Sequence, residues 1–212
     1  MQTRLIRLAP EPFGAEREWM VEGIPILRAE VTLPQADTNS RFNRFYRLQA
    51  RSYLRYCERM LLPLAAAELR SALETSAPLP CITARLDFQV TCQDDRFLSL
   101  YTQSRESGLP GPALLTRHGD TWDRSAGTLV PLEDFCPRRE RKRLLAAASA
   151  VIQRQEAAGL ARYREDWRRQ LRRCFNPRNY YLTEEGLAIF YPMYALGPAA
   201  EGIPAFTVPR QT

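Results

Sequence analysis

Residues 180–209 read YYLTEEGLAIFYPMYALGPAAEGIPAFTVP, and their pattern decides the fold class. Tyr180-Tyr181-Leu182 is a short aromatic strand, Thr183-Glu184-Glu185-Gly186 a polar turn, and 187–191 a second strand, with a last short strand at 205–208. This aromatic-rich hairpin closes a chain whose preceding segments are helical. Pro137 suits the first turn of a helix, and Leu144, Leu145, Ala148, Val151 and Ile152 continue one face until Gly159 stops it. A second helix puts Tyr163, Trp167, Leu171 and Phe175 on its inner face and Arg164, Glu165, Arg168, Arg169, Arg172 and Arg173 outside. Both are amphipathic, as packing against a sheet requires.

Further upstream, residues 24–33 (IPILRAEVTL) are β-branched and bounded by Gly23 and Pro34, which predicts a first strand. From Thr38 or Asn39, both competent caps, apolar residues recur at helical spacing through Phe42, Phe45, Tyr46, Tyr53, Cys57, Met60, Leu61 and Leu64. This is the longest helix, and Pro63 should kink it or divide it, because proline lacks the backbone donor and crowds the preceding turn. The tract 76–80 breaks the chain. Ile82, Ala84, Leu86, Phe88 and Val90 then alternate, the turn Gln93-Asp94-Asp95 follows, and Phe97, Leu98, Leu100 and Tyr101 resume an extended pattern. Beyond the loop 107–112, strands are expected around 113–122 and 128–132.

Strand, long helix, meander, helices and hairpin together predict an α+β fold: a mostly antiparallel sheet with a long N-terminal helix and two later helices packed on it. One domain spans 21–212, with 1–20 as an N-terminal extension, since no linker argues for a second. Apolar residues make up 45% of the chain, enough for a sizeable core. No run approaches the roughly 18 uninterrupted apolar residues of a membrane helix; the most apolar stretch, 60–69, carries Pro63. The N-terminal MQTRLIRLAPEPFGAEREW has no apolar block and no cleavage site, so a cytoplasmic location is the expectation.

The chemistry-bearing residues are sparse. Cys57, Cys81, Cys92, Cys136 and Cys174 stand singly, with one histidine to join them, a pattern that disfavours zinc and reads as free thiols. His118 is that histidine, so any nucleophilic triad must use it. Asp120 and Asp123 near it differ in strand parity and face opposite sides. Asp94-Asp95 and Glu184-Glu185 are explained as turn residues. No phosphate-cradling glycine motif occurs, and no cofactor is expected.

The net charge of +6 is almost wholly arginine, Lys142 being the sole lysine. The block Arg138-Arg139-Glu140-Arg141-Lys142-Arg143 and the outer arginines of the second helix could meet phosphates by charge alone. Their helical spacing fits a solvated face equally, and Tyr163 and Trp167 fall on the inner stripe rather than among the charges, so nucleic acid is disfavoured.

Tyr181-Leu182-Thr183 with Gly186-Leu187, the pair Phe190-Tyr191, Tyr194, and Gly202 followed by Phe206-Thr207-Val208-Pro209 carry a family resemblance. Asp123, Gly127 and the run Leu132-Glu133-Asp134-Phe135 add to it. From residue 21 to 209 the chain resembles domain of unknown function 3298, the family of the RsiV C-terminal domain. The resemblance implies an α+β fold and a bacterial setting. Members often carry Gly-Gly-Ala-His in the central loop, where this chain has Gly108-Leu109-Pro110-Gly111-Pro112-Ala113 without histidine. Members are typically secreted or membrane-tethered, and this chain shows neither signal nor anchor.

The expectation is therefore a non-enzymatic binding module for a protein or a glycan-like ligand. Its candidate contact residues are Tyr181, Phe190, Tyr191 and Tyr194, because aromatics alternating along a strand put some rings away from the core. The alternatives are a hydrolase-like enzyme using His118 with a carboxylate, and a basic nucleic-acid-associated protein.

Overall fold

The strand predicted at 24–33 forms, and it pairs on both sides. The computed structural model describes residues 5–79 and 81–209; the first four residues of the expected extension, Pro80 at the end of the chain-breaking tract, and residues 210–212 of the expected domain lie outside them. Within the extension, Phe13–Val21 is a strand, β1, antiparallel to β2, Ile24–Leu33. Glu22 and Gly23 join them, both at positive φ (51° and 80°), the geometry of a tight two-residue hairpin turn.

Asn39 caps α1, Ser40–Tyr56, its side chain accepting the Phe42 N–H. The helix does not end at Pro63. It passes through one π-turn, Cys57–Leu61, where the Leu62 N–H reaches back five residues to Cys57, and continues as α2, Leu62–Thr75. The wider turn leaves space for a proline ring that a regular turn would crowd. Ser76, left-handed at φ 54°, ends it.

These helices form the crossover that a parallel pair requires. Residues of β2 run parallel to β3, Ile82–Gln93, in the register Leu27↔Ile82 to Val31↔Leu86. Asp94 accepts the N–H groups of Arg96 and Phe97 in the turn to β4, Phe97–Ser107. Next come β5, Leu114–Asp123, and the short β6, Thr128–Leu129, antiparallel to it. The strand order is β1-β2-β3-β4-β5-β6, and the parallel β2–β3 pair makes the sheet a mixed one within the expected α+β fold.

After two short 3₁₀ turns come α3, Arg141–Ala157, and α4, Trp167–Arg173, which is shorter than the stripe 163–175 suggested. A second sheet has the order β7-β8-β9: Tyr180–Leu182, Gly186–Phe190 and Ala205–Pro209, antiparallel throughout.

The chain groups into two compact units, Met1–Phe88 with Gln103–Leu114, and Gln89–Thr102 with Leu115–Thr212. The first has a core of Ile26, Leu27, Cys57, Leu61, Leu69 and Ile82. The second is built on Leu144, Ile152, Trp167, Leu171, Ile189 and Phe206. Among the described residues no helix is long and apolar enough to cross a membrane.

Candidate functional site

The alternation along β7 and β8 holds, and both faces of that sheet are covered. Tyr180, Leu182, Leu187, Ile189 and Tyr191 join the core with α3 and α4. Tyr181, Ala188 and Phe190 form the opposite face, packed against Tyr101, Ile203 and Ala205. Arg117 on β5 completes this side. Its guanidinium lies 4.0 Å from the Tyr101 ring centroid and 5.9 Å from those of Tyr181 and Phe190. It also donates to the Tyr181 hydroxyl at 3.3 Å. Burial raises the Tyr181 pKa and the Arg117 charge opposes the rise.

Three of the four candidate contact residues are thus buried, correcting the exposed aromatic patch expected of them. Tyr181 and Phe190 do face away from the main core, but Tyr101 and Arg117 roof them. Tyr191 is enclosed altogether, its hydroxyl donating to the Leu171 carbonyl at 2.9 Å and its pKa raised by burial.

Tyr194 is the exception. It is 43% exposed, and no other aromatic side chain among the described residues is classed as exposed. Its backbone is left-handed at φ 68°, a conformation that L-residues with bulky side chains rarely adopt. The loop around it is tied down on both sides. Met193 is buried and its sulfur accepts the Leu115 N–H at 3.3 Å; the Leu196 carbonyl accepts the Arg164 N–H at 2.9 Å. Further on, Glu201 accepts the Arg162 N–H at 3.0 Å, and the Pro204 carbonyl accepts the Tyr191 N–H at 2.9 Å.

His118 is exposed on β5, on the alternate face from Arg117, although enough protein lies around the ring to lower its pKa by desolvation. No carboxylate is paired with it among the described residues. Asp120 is buried, and Asp123 is committed to its turn, accepting from the Ser125 and Ala126 N–H groups and the Ser125 hydroxyl. Those bonds hold the Asp123 carboxyl below its ordinary pKa. Glu184 and Glu185 are exposed in the β7–β8 turn. None of the five cysteines is in a disulfide, and among the described residues no cluster of three or more His, Cys, Asp or Glu is placed to hold a metal ion.

Two features were not legible in the sequence. In the first unit, Glu106 is only 5% exposed, accepts the Tyr56 hydroxyl at 3.0 Å, and has its pKa raised by burial. The second unit holds a cavity of about 270 Å³, with Phe135, Cys136, Leu144, Leu187 and Val208 as apolar walls and Asp134, Glu140 and Arg143 at its charged edge. Its walls come from segments about seventy residues apart, which no local pattern announces.

The fold and these sites define an α+β protein with a mixed six-stranded sheet and a separate three-stranded C-terminal sheet. Residues 137–211 match the family model described as "Protein of unknown function (DUF3298)", which bears out the resemblance read from the C-terminal motifs. The chain is similar in structure to a DUF3298 family protein from Pseudomonas aeruginosa, with 16% identity and a TM-score of 0.59, covering 99% of this chain and 93% of that one. It is similar also to a member of the family from Bacteroides fragilis, with 12% identity and a TM-score of 0.66, covering 97% and 92% respectively. These TM-scores show a shared fold. No curated protein matches the sequence.

Proposed function

We propose that this protein is a binding module with no catalytic step of its own, recognising a protein or a glycan-like ligand through the loop that carries Tyr194. The observation behind this reading is the combination of exposure and backbone strain at that one tyrosine. A left-handed residue with a β-carbon costs about 1–2 kcal/mol and persists only where its surroundings over-determine it. Here Met193 and Leu196 fix the chain on either side while 43% of Tyr194 stays exposed. Tyrosine offers large contact area for two torsions, and a loop already ordered binds without a further ordering cost. Among the described residues no carboxylate is paired with His118, so the hydrolase reading gains no support from it. The nucleic-acid reading lacks base-stacking aromatics among the arginines: Trp167 is buried and donates to Glu156, and Tyr163 packs on Phe206.

Capture experiments test the proposal. Immobilised protein and its Tyr194→Ala variant are exposed side by side to host lysate and to a panel of soluble polysaccharides. The native protein retains a specific protein or polysaccharide and the variant, folded equally by circular dichroism, loses it. Equal retention by both, or retention by neither, sinks the reading.

A further inference from the structure

The two basic stretches of the sequence meet in one groove of the second unit. On α3, Lys142, Leu145, Ala146 and Ser149 fall at i, i+3, i+4 and i+7; on α4, Arg168, Leu171 and Arg172 fall at i, i+3 and i+4. These spacings put each set on a single stripe of its helix. Together the stripes line a cavity of about 570 Å³, within the usual size of small-molecule sites, roughly 300–1,000 Å³.

The chemistry of the groove divides cleanly. Leu171 is buried, Leu145 is half-buried, and with the Ala146 methyl they make an apolar floor. Every charged lining residue is a cation. Three of the neighbouring cations have carboxylates: Arg141 pairs with Glu133, Arg139 with Glu140 and Arg164 with Asp166. Among the described residues Lys142, Arg168 and Arg172 pair with none. The Arg168 guanidinium rests on the Trp167 ring at 4.5 Å, a contact that orients the charge without neutralising it. A merely solvated helix face accounts for the cations, but it does not account for an apolar hollow between them.

The geometry points to a binding site for a small anionic amphiphile, a phosphate monoester carried on a short apolar body. The phosphate meets Lys142, Arg168 and Arg172, and the body covers Leu145, Ala146 and Leu171. A dianion offsets the three mutually repelling cations, and guanidinium groups fork onto phosphate oxygens. This site is independent of the Tyr194 loop.

Calorimetric titration with octyl phosphate, kept below its micelle concentration, tests it. Octyl phosphate is expected to bind about tenfold or more tightly than either inorganic phosphate or neutral octyl glucoside. The double variant Lys142→Gln/Arg172→Gln, altered only at exposed positions, is expected to lose about tenfold or more of that affinity. Arg172→Lys keeps the charge and should retain part of it. Quenching or shifting of Trp167 fluorescence on binding, absent in Trp167→Phe, places the ligand under Arg168. Sedimentation with phosphatidic-acid vesicles separates the sources: co-sedimentation supports the site with a lipid headgroup as ligand, and its absence beside soluble binding supports it with a free phosphate ester. Equal affinity for octyl glucoside or inorganic phosphate, an unaffected double variant, or retention of duplex DNA without octyl phosphate binding overturns the proposal.

Discussion

The Ser99 hydroxyl accepts the backbone N–H of Leu182 at 2.8 Å, and both groups are buried. On the other side of the same residue the Thr91 hydroxyl donates to the Leu182 carbonyl at 2.6 Å. Thus side chains of β3 and β4, rather than another strand's backbone, satisfy these groups of β7. Ser99 also shares a hydrogen bond with the Thr121 hydroxyl at 2.9 Å. Ser99→Ala leaves a buried amide unpaired and should cost about 1–3 kcal/mol in urea unfolding. Combining it with Thr91→Val should give a non-additive loss, because both act on one residue.

Glu106 gives the protein a pH-dependent stability. Desolvation raises its folded-state pKa, with the Tyr56 and Ser104 hydrogen bonds opposing. The protonated carboxyl is therefore the form the fold prefers. Its stabilising contribution is complete below the unfolded pKa of about 4.3 and is lost as pH rises through the folded value. Glu106→Gln removes the charge, so its melting temperature should gain on the native protein as pH increases from about 4 to 8. A parallel pH dependence in both proteins would refute this assignment.

Gly119 has no space for a side chain. A β-carbon there would stand 1.9 Å from the Tyr180 carbonyl oxygen and 3.2 Å from the Phe190 ring. Gly119→Ala should cost on the order of 3 kcal/mol or more, or prevent soluble expression, since backbone must move. Gly14, with nothing within 4 Å of its notional β-carbon, is the control; its alanine variant should stay within about 0.5 kcal/mol.

The thiols should separate into fast and slow classes. Cys81 is exposed and Cys174 half-buried, while Cys57, Cys92 and Cys136 are buried. Burial pushes the Cys57 thiol up to about 12 and raises that of Cys136, so neither supplies thiolate at neutral pH. Under native conditions a disulfide reagent should modify Cys81 promptly and Cys174 slowly. The remaining three should react only in denaturant; prompt reaction of Cys57 would contradict the burial described.

The sequence carried most of the elements because their signals are local. Asn39 capped the helix it was expected to start, and β2 has the predicted bounds. β1 was missed because it is the outermost strand of its sheet and carries Glu16, Arg17 and Glu18 in succession, which hides any alternation. The only other sign was Glu22-Gly23, a weak turn pair. The site was less legible than the fold. Strand alternation implied that some rings turn from the core, but it did not separate Tyr191, which lies in the main core, from Tyr181 and Phe190, and whether a ring is exposed depends on its cover. That cover, Tyr101 and Arg117, lies more than sixty residues upstream of Tyr181. Likewise each arginine stripe was visible alone, whereas its meeting with Lys142 depended on how α3 and α4 pack.

The π-turn at Cys57–Leu61 makes this stretch uneven in its tolerance of length changes. A π-turn takes up one extra residue without turning the helix beyond it, so deleting one residue there restores a regular turn and leaves the following phase nearly unchanged. Elsewhere each residue of a helix advances the chain by about 100°, so deleting Leu64, just beyond the π-turn, rotates all that follows by that angle. Ala65, Leu69 and Ala72 would then swing off the buried line that they share with Cys57 and Leu61. Point substitutions at exposed Glu58, Arg59 or Met60 should be absorbed, and a one-residue deletion among them should cost stability through crowding at Pro63 without unfolding the first unit, while deletion of Leu64 should abolish its folding. Outside the π-turn an insertion or deletion is a frameshift of the helix's own phase.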